Sequence, residues 1–457
     1  MRAIVDVGKT WPQYVAVMTA LIAMVNAGIH FGWPSPSIPK ILSEEYVFSV
    51  SSEEASYITI IGPLGDIFGS ILYPALVDRI GRKKTILLIA VPQILSMTMI
   101  YLSFFSKVLL YCARFIGGLA EAGCFTILPL YIGEVSEPKV RGILGSLFSL
   151  IFIVGVFVVN SIGSYVTIHT AALIFMVLPV LFVVLFSQMP ESPYYFIMKS
   201  NITNAEKSLQ VLRGKRNVER ELTGLINDIN RQMSEPSSYK DLYQIQSNRI
   251  ACMVMFGLRI IQQLSGTSAI SLYMQTIFKK STDIMSKQLA SILIFGLQLS
   301  VNFTAVLIVD KIGRKPLLII SCIGCTLNLI IIGIYFTVQD LTDLNLASFN
   351  FIPLVCVVLF TISFAIGQGN VVNLMISEMF SSSIKAKASC LMNILFAFFM
   401  LFTTKFFQVT SDYLGMYVPF FFFGVCQILG GIFSYFVVPE TKGKSLEEIQ
   451  QYLKKKI

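Results

Sequence analysis

Twelve separated apolar stretches, each long enough to cross a lipid bilayer as a helix, leave this chain few ways to fold. They fall at 12–33, 53–78, 84–106, 108–132, 142–166, 168–189, 249–276, 288–310, 316–338, 350–376, 386–411 and 416–438. About 20 apolar residues in a helix match the hydrocarbon thickness of a membrane. The balance of residue types agrees: 55% are hydrophobic and 13% charged, about half the charge of an ordinary soluble domain. One long polar interval, 190–248, interrupts the series. Its AEKSLQVLRGK and VERELTGLINDINRQM segments read as short amphipathic helices lying outside the membrane.

The positions of the basic residues set the orientation. An even number of spans puts both ends on one side, and Lys and Arg gather on the cytoplasmic side. With cytoplasmic termini, Lys40, Lys107, Lys279, Lys280 and Lys287 fall outside, and Arg114, Arg259 and Lys405 lie within spans. The rest of the 35 basic residues are then cytoplasmic. The net charge of +9 is therefore topological and argues against a nucleic-acid partner. In this orientation the sequons at Asn201 and Asn302 are not glycosylation sites: one is cytoplasmic and the other lies in a span. The eight cysteines all lie in apolar stretches and read as small buried hydrophobes, including the CxxC at Cys322 and Cys325. No cleavable leader is expected before the first span, and no metal or cofactor site is expected.

The chain repeats itself. Asp78-Arg79-Ile80-Gly81-Arg82-Lys83 recurs as Asp310-Lys311-Ile312-Gly313-Arg314-Lys315, each after the second span of a six-span set. Glu134 and Arg141 recur as Glu378 and Lys385, and Pro190-Glu191-Ser192 as Pro439-Glu440-Thr441. Six spans per copy give both copies the same membrane orientation, a parallel repeat expected of two bundles that rock about a midplane site. The expected fold class is therefore an all-α membrane protein with twelve transmembrane helices in two six-helix bundles. The expected divisions are a first bundle at 1–189, a cytoplasmic linker at 190–248, a second bundle at 249–438 and a cytoplasmic tail at 439–457. Arg79, Arg82, Lys83, Glu134, Arg141, Asp310, Arg314, Lys315, Glu378 and Lys385 converge on the cytoplasmic face. Opposite charges there are expected to latch the two bundles together as an intracellular gate, through pairs worth about 0–1 kcal/mol each when exposed.

The motifs, in order, resemble the sugar porter family of the major facilitator superfamily over essentially the whole chain. They are DRIGRK after the second span, RFIGG at 114–118, PLYIGEVSEPKVRG at 129–142, PESPYYF at 190–196, QQLSG at 262–266, DKIGRKP at 310–316 and PETKGKSLEEI at 439–449. Within that family the chain looks most like the insect facilitated trehalose transporter branch. The resemblance implies the major facilitator fold and facilitated, alternating-access sugar transport. It places Gln262 and Gln263 at the family's sugar-binding amides on the seventh span, and Gln298 at a sugar-contacting position on the eighth. Amides suit hydroxyl-rich solutes because each supplies donors and acceptors without ionising.

The chain also departs from the family pattern. Ser149 stands for a Gln on span five and Ser268 for an Asn on span seven. Gly367-Gln368-Gly369-Asn370-Val371-Val372-Asn373 replaces a proline-rich stretch on span ten, with Asn373 where a stacking Trp belongs. Phe396 and Ala397 replace an Asn-Trp pair, Tyr194 replaces an Arg, and Lys385-Ala386 replaces Arg-Gly. Loss of the prolines is expected to restore backbone hydrogen bonds and stiffen span ten. Intramembrane charges lie at Asp66, Arg114, Glu121 and Arg259, of which Arg114 matches a family Arg. Such charges face a cavity or a partner, and their depths suggest that Glu121 and Arg259 pair across the cavity. Lys405, near the outer end of span eleven, is placed to snorkel.

The reading that follows is a multi-pass, monomeric plasma-membrane protein that carries a sugar, hexose or trehalose, by uniport without a cofactor. Its substrate site would include Gln262, Gln263, Ser268, Gln298, Asn373, Ser149 and Arg259. Two alternatives stay open: a transporter of the same fold for a non-sugar or anionic solute, which Arg259 motivates, and a sugar sensor that binds without cycling. An enzyme is not expected, since the two histidines, His30 and His169, join no nucleophile–base or metal-ligand set.

Overall fold

A computed structural model describes residues 9–43, 47–234, 239–281, 286–342, 344, 346–380, 382–442, 444, 448–449 and 451–452. The Asp310 and Ala386 side chains, and much of the tail beyond Lys444, lie outside the described residues. Among those described, the secondary structure is entirely helical. Twelve helices are long and apolar enough to cross a membrane. Spans one to six are Trp11–Ile41, Ser52–Ile80, Arg82–Phe104, Val108–Val135, Lys139–Gly163 and Ile168–Phe186. Spans seven to twelve are Gln246–Leu272, Gln288–Ala305, Arg314–Leu341, Ile352–Ile376, Lys387–Tyr413 and Tyr417–Phe436. Between them the linker carries helices Pro193–Met198, Ile202–Arg213, Glu219–Ser234 and Asp241–Gln244.

Helices in lipid gain little by excluding water from one another, so close van der Waals approach decides which of them pack. Span two meets span four through Gly62, Gly65 and Gly118. A Cβ on Gly65 would lie 2.0 Å from the Phe115 carbonyl oxygen, and one on Gly118 would lie 1.9 Å from that of Gly62. Spans one and five touch in the same way, at Gly28 and Gly155. Spans two and eleven, and spans five and eight, run along the seam between the halves. An apolar cluster crosses that seam, joining Ile38, Ala55 and Val156 of the first half to Ile277, Phe295 and Phe420 of the second.

Two spans are interrupted near their middles. Span seven runs as a helix to Gln263, turns through Leu264–Gly266 and resumes at Thr267. Gly266 has φ +78, and a Cβ there would lie 2.2 Å from the Phe423 ring. Span ten contains a π-helical segment, Ala365–Gly369, between α-helical parts. This corrects the expectation of a stiff span ten. With its prolines gone, the span widens by a π-turn, a feature that recurs at functional sites.

Both DRIGRK-type turns, the linker helices and the PES/PET segments occupy one end of the bundle, here called the motif face. The linker docks there through buried Arg213. Its Nε lies 2.7 Å from Glu221 and 3.1 Å from Glu137, and Nη1 donates to the Val135 carbonyl at 2.9 Å.

Candidate transport site and gates

At the motif face the repeat builds one device twice. Gly81 has φ +97 and Gly313 φ +110, conformations that glycine adopts without strain. Each turn opens a helix whose first N–H groups have no partner within the helix. Glu191 accepts them from Arg82 and Lys83, both at 3.0 Å, and Glu440 accepts them from Arg314 and Lys315, both at 3.0 Å. A carboxylate at a helix N-terminus also meets the positive end of its dipole. The arginine side chains then turn inward. Arg82 Nη2 lies 2.9 Å from Glu134 Oε1, and Arg314 Nη2 lies 2.7 Å from Glu378 Oε1. Ser192 donates its hydroxyl to Glu134, and Thr441 donates to Glu378 at 2.5 Å.

The two copies differ electrostatically. Burial pushes the Glu191 carboxyl above the usual range, against its backbone donors. For Glu440 burial acts in the same direction, but four backbone N–H donors outweigh it and hold that carboxyl below the range. Glu191, Ser192, Glu440 and Thr441 were not among the expected gate residues, although their recurrence in the repeat was the signal for them.

The expected latch between bundles takes a different form. Each described ion pair among these residues joins helices of one half. The partners are near in sequence and held by rigid turns, so pairing within a half needs no alignment of the two bundles. Arg79 is exposed, and its carbonyl accepts from Tyr195 at 3.1 Å. Lys315 sits over the Tyr435 ring. Arg141 donates to the Ser136 carbonyl at 3.1 Å. Across the seam Arg141 faces Lys385, whose ammonium is pushed below the usual lysine range by burial and then by that like charge.

Toward the motif face Cys390 donates to the Ser70 carbonyl at 3.1 Å across the seam; the other described polar contacts that cross it gather toward the opposite end. Ser52 donates to Asp412 at 2.7 Å, and Gln275 donates to Ser164 at 2.8 Å. The Thr59 and Tyr273 hydroxyls are 3.1 Å apart. Lys405 does not snorkel to a lipid surface: Nζ donates to Ser56 at 2.8 Å and to Gln408 at 2.9 Å, beneath the Tyr57 ring.

Between the two ends lies a polar centre built on the two interrupted spans. Arg259 Nη1 donates to Gln262 Oε1 at 2.8 Å, and Gln262 Nε2 donates to the Gln368 carbonyl at 2.8 Å. Ser268 donates to Gln263 Oε1 at 2.8 Å, leaving Gln263 Nε2 buried without a partner. Gln368 donates to Gln427 at 2.5 Å, and its backbone N–H donates to Ser321 Oγ at 3.3 Å. A Cβ on Gly367 would lie 2.4 Å from the Leu317 carbonyl, so glycine is what lets the π-turn sit against span nine. Asn370 ties the same turn to Asn302 of span eight at 3.0 Å. Of the expected site residues, Arg259, Gln262, Gln263 and Ser268 are thus brought together. Ser149 and Gln298 are half-buried on other spans. Asn373 is exposed and donates to the Gly369 carbonyl of its own helix at 3.2 Å. Gln368 and Gln427 are additions to the centre. In the first half, Asn26 and Asn160 keep buried amide atoms without partners, the kind of group that water or a bound solute satisfies.

Arg114 pins spans one and two together, donating to the His30 carbonyl at 2.6 Å and the Ile58 carbonyl at 3.1 Å beneath the Trp33 ring. The expected Glu121–Arg259 pair is not formed. Glu121 has Arg114 and Asp66 of its own half as charged neighbours, whereas Arg259 bonds Gln262. Arg114 lies two turns from Glu121 on the same face, so the nearest cation to Glu121 is on its own helix.

Comparison with known proteins accords with this architecture. The family profile described as "Sugar (and other) transporter" matches residues 3–453. The facilitated trehalose transporter Tret1 of Bombyx mori is 32% identical over 446 residues, covering 97% of this chain and 87% of that protein. The Tret1-2 homolog of Drosophila simulans is 30% identical and covers 97% and 91%. Tret1 of Drosophila virilis is longer: at 29% identity the match covers 96% of this chain but 48% of that protein. Among solved structures, the inward-open xylose transporter XylE from E. coli superposes with TM-score 0.79 at 20% identity, covering 96% of this chain and 99% of XylE. Its partially occluded inward-open form gives 0.78 at 21%, covering 95% and 99%. With a matched profile spanning both halves, and with the repeated motifs folding into the same charged turn in each half, the chain belongs to the sugar (and other) transporter family.

Proposed function

We propose that the protein is a facilitative sugar transporter of the plasma membrane, with cytoplasmic termini, carrying a hexose or trehalose by alternating access. It works as a monomer, without a cofactor and without nucleic-acid partners. The observation that carries this reading is the cluster of amides at the broken middle of span seven, facing the π-turn of span ten. Gln262, Gln263 and Gln368 offer donors and acceptors at membrane mid-depth, where an unoccupied amide atom is expensive and a sugar hydroxyl satisfies it. The relatives named trehalose transporters support the solute class. In this reading the motif face is cytoplasmic. The far-end contacts then hold the extracellular side shut, and the like charges of Arg141 and Lys385 favour opening on the cytoplasmic side.

Uptake of radiolabelled glucose and trehalose into oocytes tests the reading. Wild type should show saturable uptake of at least one of them, reduced about tenfold or more by Gln263→Ala, the loss of roughly one hydrogen-bonded contact of 1.4 kcal/mol. Absence of uptake of both by a protein present at the cell surface would overturn it.

A further inference from the structure

Arg259 is the part of the polar centre that a neutral sugar leaves unexplained. Its side chain lies on span seven, one turn before Gln262, and is 5% exposed. Nη1 is committed to Gln262 Oε1 at 2.8 Å. Nε is buried without a hydrogen-bond partner, and Nη2 makes no hydrogen bond among the described residues. The guanidinium carbon lies over the Phe396 ring, 5.3 Å from its centroid. Phe396 itself packs against the apolar cluster that crosses the seam. No described ion pair includes Arg259. Among the carboxylates within the spans of the first half, Glu134 pairs with Arg82, and Glu121 has Arg114 and Asp66 as its nearest titratable neighbours.

A fixed cation at membrane mid-depth is thus held in orientation by an amide and an aromatic ring, with the Nε–Nη2 edge of its fork unspent. That edge matches the two oxygens of a carboxylate in spacing and direction. A buried charge without a counterion is strongly unfavourable, and a counter-charge arriving with the solute removes that penalty. Gln263 Nε2, also buried and unpartnered, supplies a further donor one residue beyond Gln262.

We propose that Arg259 forms a carboxylate subsite in the central site, so that the protein carries sugar acids, such as uronates, in preference to the corresponding neutral sugars. The proposal rests on the reading of this centre as the solute site. The amides engage ring hydroxyls while the Arg259 edge takes the carboxylate, and the two move together as the halves rock.

The test uses purified full-length protein in liposomes with labelled D-glucuronate and labelled D-glucose. Wild type should take up glucuronate at least tenfold faster than glucose at equal low concentration. Unlabelled glucuronate should compete with glucose uptake. Glucuronate uptake should rise when the vesicle interior is made positive, because a monoanion carried alone moves charge, whereas glucose uptake should not respond. Arg259→Gln should lower the glucuronate-to-glucose ratio at least tenfold. Arg259→Lys, which keeps the charge but not the fork, should retain part of it. Glucose uptake with no competition by glucuronate would overturn the carboxylate subsite and leave the sugar reading standing. Glucuronate uptake with no glucose uptake would sustain the subsite and remove glucose as a solute. Failure of both solutes to enter would overturn the carboxylate subsite, and failure of trehalose as well would overturn the sugar reading. The wild-type competition and potential measurements decide the matter even where a variant does not fold.

Discussion

At the scale of single residues, burial separates the charges that hold the motif face together from those that only decorate it. The Arg82 and Glu134 side chains are 5% and 8% exposed, and Glu134 also takes the Ser192 hydroxyl. Asp78 reaches the same arginine at 3.5 Å but is 65% exposed. Removing one partner of a buried pair strands the other and costs about 3–5 kcal/mol. Removing an exposed partner costs about 0–1 kcal/mol. Glu134→Ala should therefore lower the melting temperature of the detergent-solubilised protein by several degrees, while Asp78→Ala shifts it by about a degree or less. Equal shifts would mean that Arg82 is held mainly by something other than Glu134. The residue types at this face, and their duplication, were readable in the sequence because the repeat prints them twice. Their partners were not. Linear order gives depth along a helix but not which way the bundle rotates it, and so depth alone does not tell that Glu121 faces Arg114 and Asp66 of its own half and not Arg259.

At the scale of elements, length and hydropathy made all twelve spans legible, since a bilayer-spanning helix has little freedom in either. The interruption of span seven was less visible, yet Gly266 marks it, because the turn needs a positive φ there. The π-turn of span ten was not legible. Ala-Ile-Gly-Gln-Gly carries no proline, and its distortion depends on Ser321 capping the Gln368 N–H and on Gln427, 59 residues further along, receiving its amide. These are tertiary contacts and leave no local pattern. They make Gly367 the sensitive position: a Cβ there would lie 2.3 Å from Ser321 Cβ and 2.4 Å from the Leu317 carbonyl. Gly367→Ala should destabilise the protein by about 1–3 kcal/mol, as overpacking does, and should slow sugar uptake well beyond any loss of surface expression. Gly145→Ala, where an added Cβ meets nothing within 4 Å, is the matched control. Equal behaviour of the two variants would show that spans nine and ten separate freely at this point.

At the scale of the whole molecule, the balance between the two ends sets which side of the central site is open. The far end is tied across the seam by Ser52–Asp412, Lys405–Ser56 and Gln275–Ser164, and the motif face spends its described ion pairs within each half while Arg141 confronts Lys385. A rocking transporter has to pass between states of similar free energy, so these few weak contacts can bias it without locking it. The exposed Ser52–Asp412 tie and the part-buried Lys405–Ser56 tie are each worth up to about 1 kcal/mol. Removing two of them together, as in Lys405→Ala with Asp412→Ala, should therefore shift the balance by roughly 1–2 kcal/mol, about a five- to thirtyfold change in populations. Spin labels at Tyr165 and Tyr413, exposed residues at the far ends of spans five and eleven, report the separation of the halves there once the exposed Cys112 is replaced. The double variant should gain a longer-distance population that the parent lacks or barely shows, and an added sugar should redistribute it. If the distance distribution stays as in the parent, the apolar cluster through Ile38, Ala55 and Val156 holds that end closed and the polar ties do not.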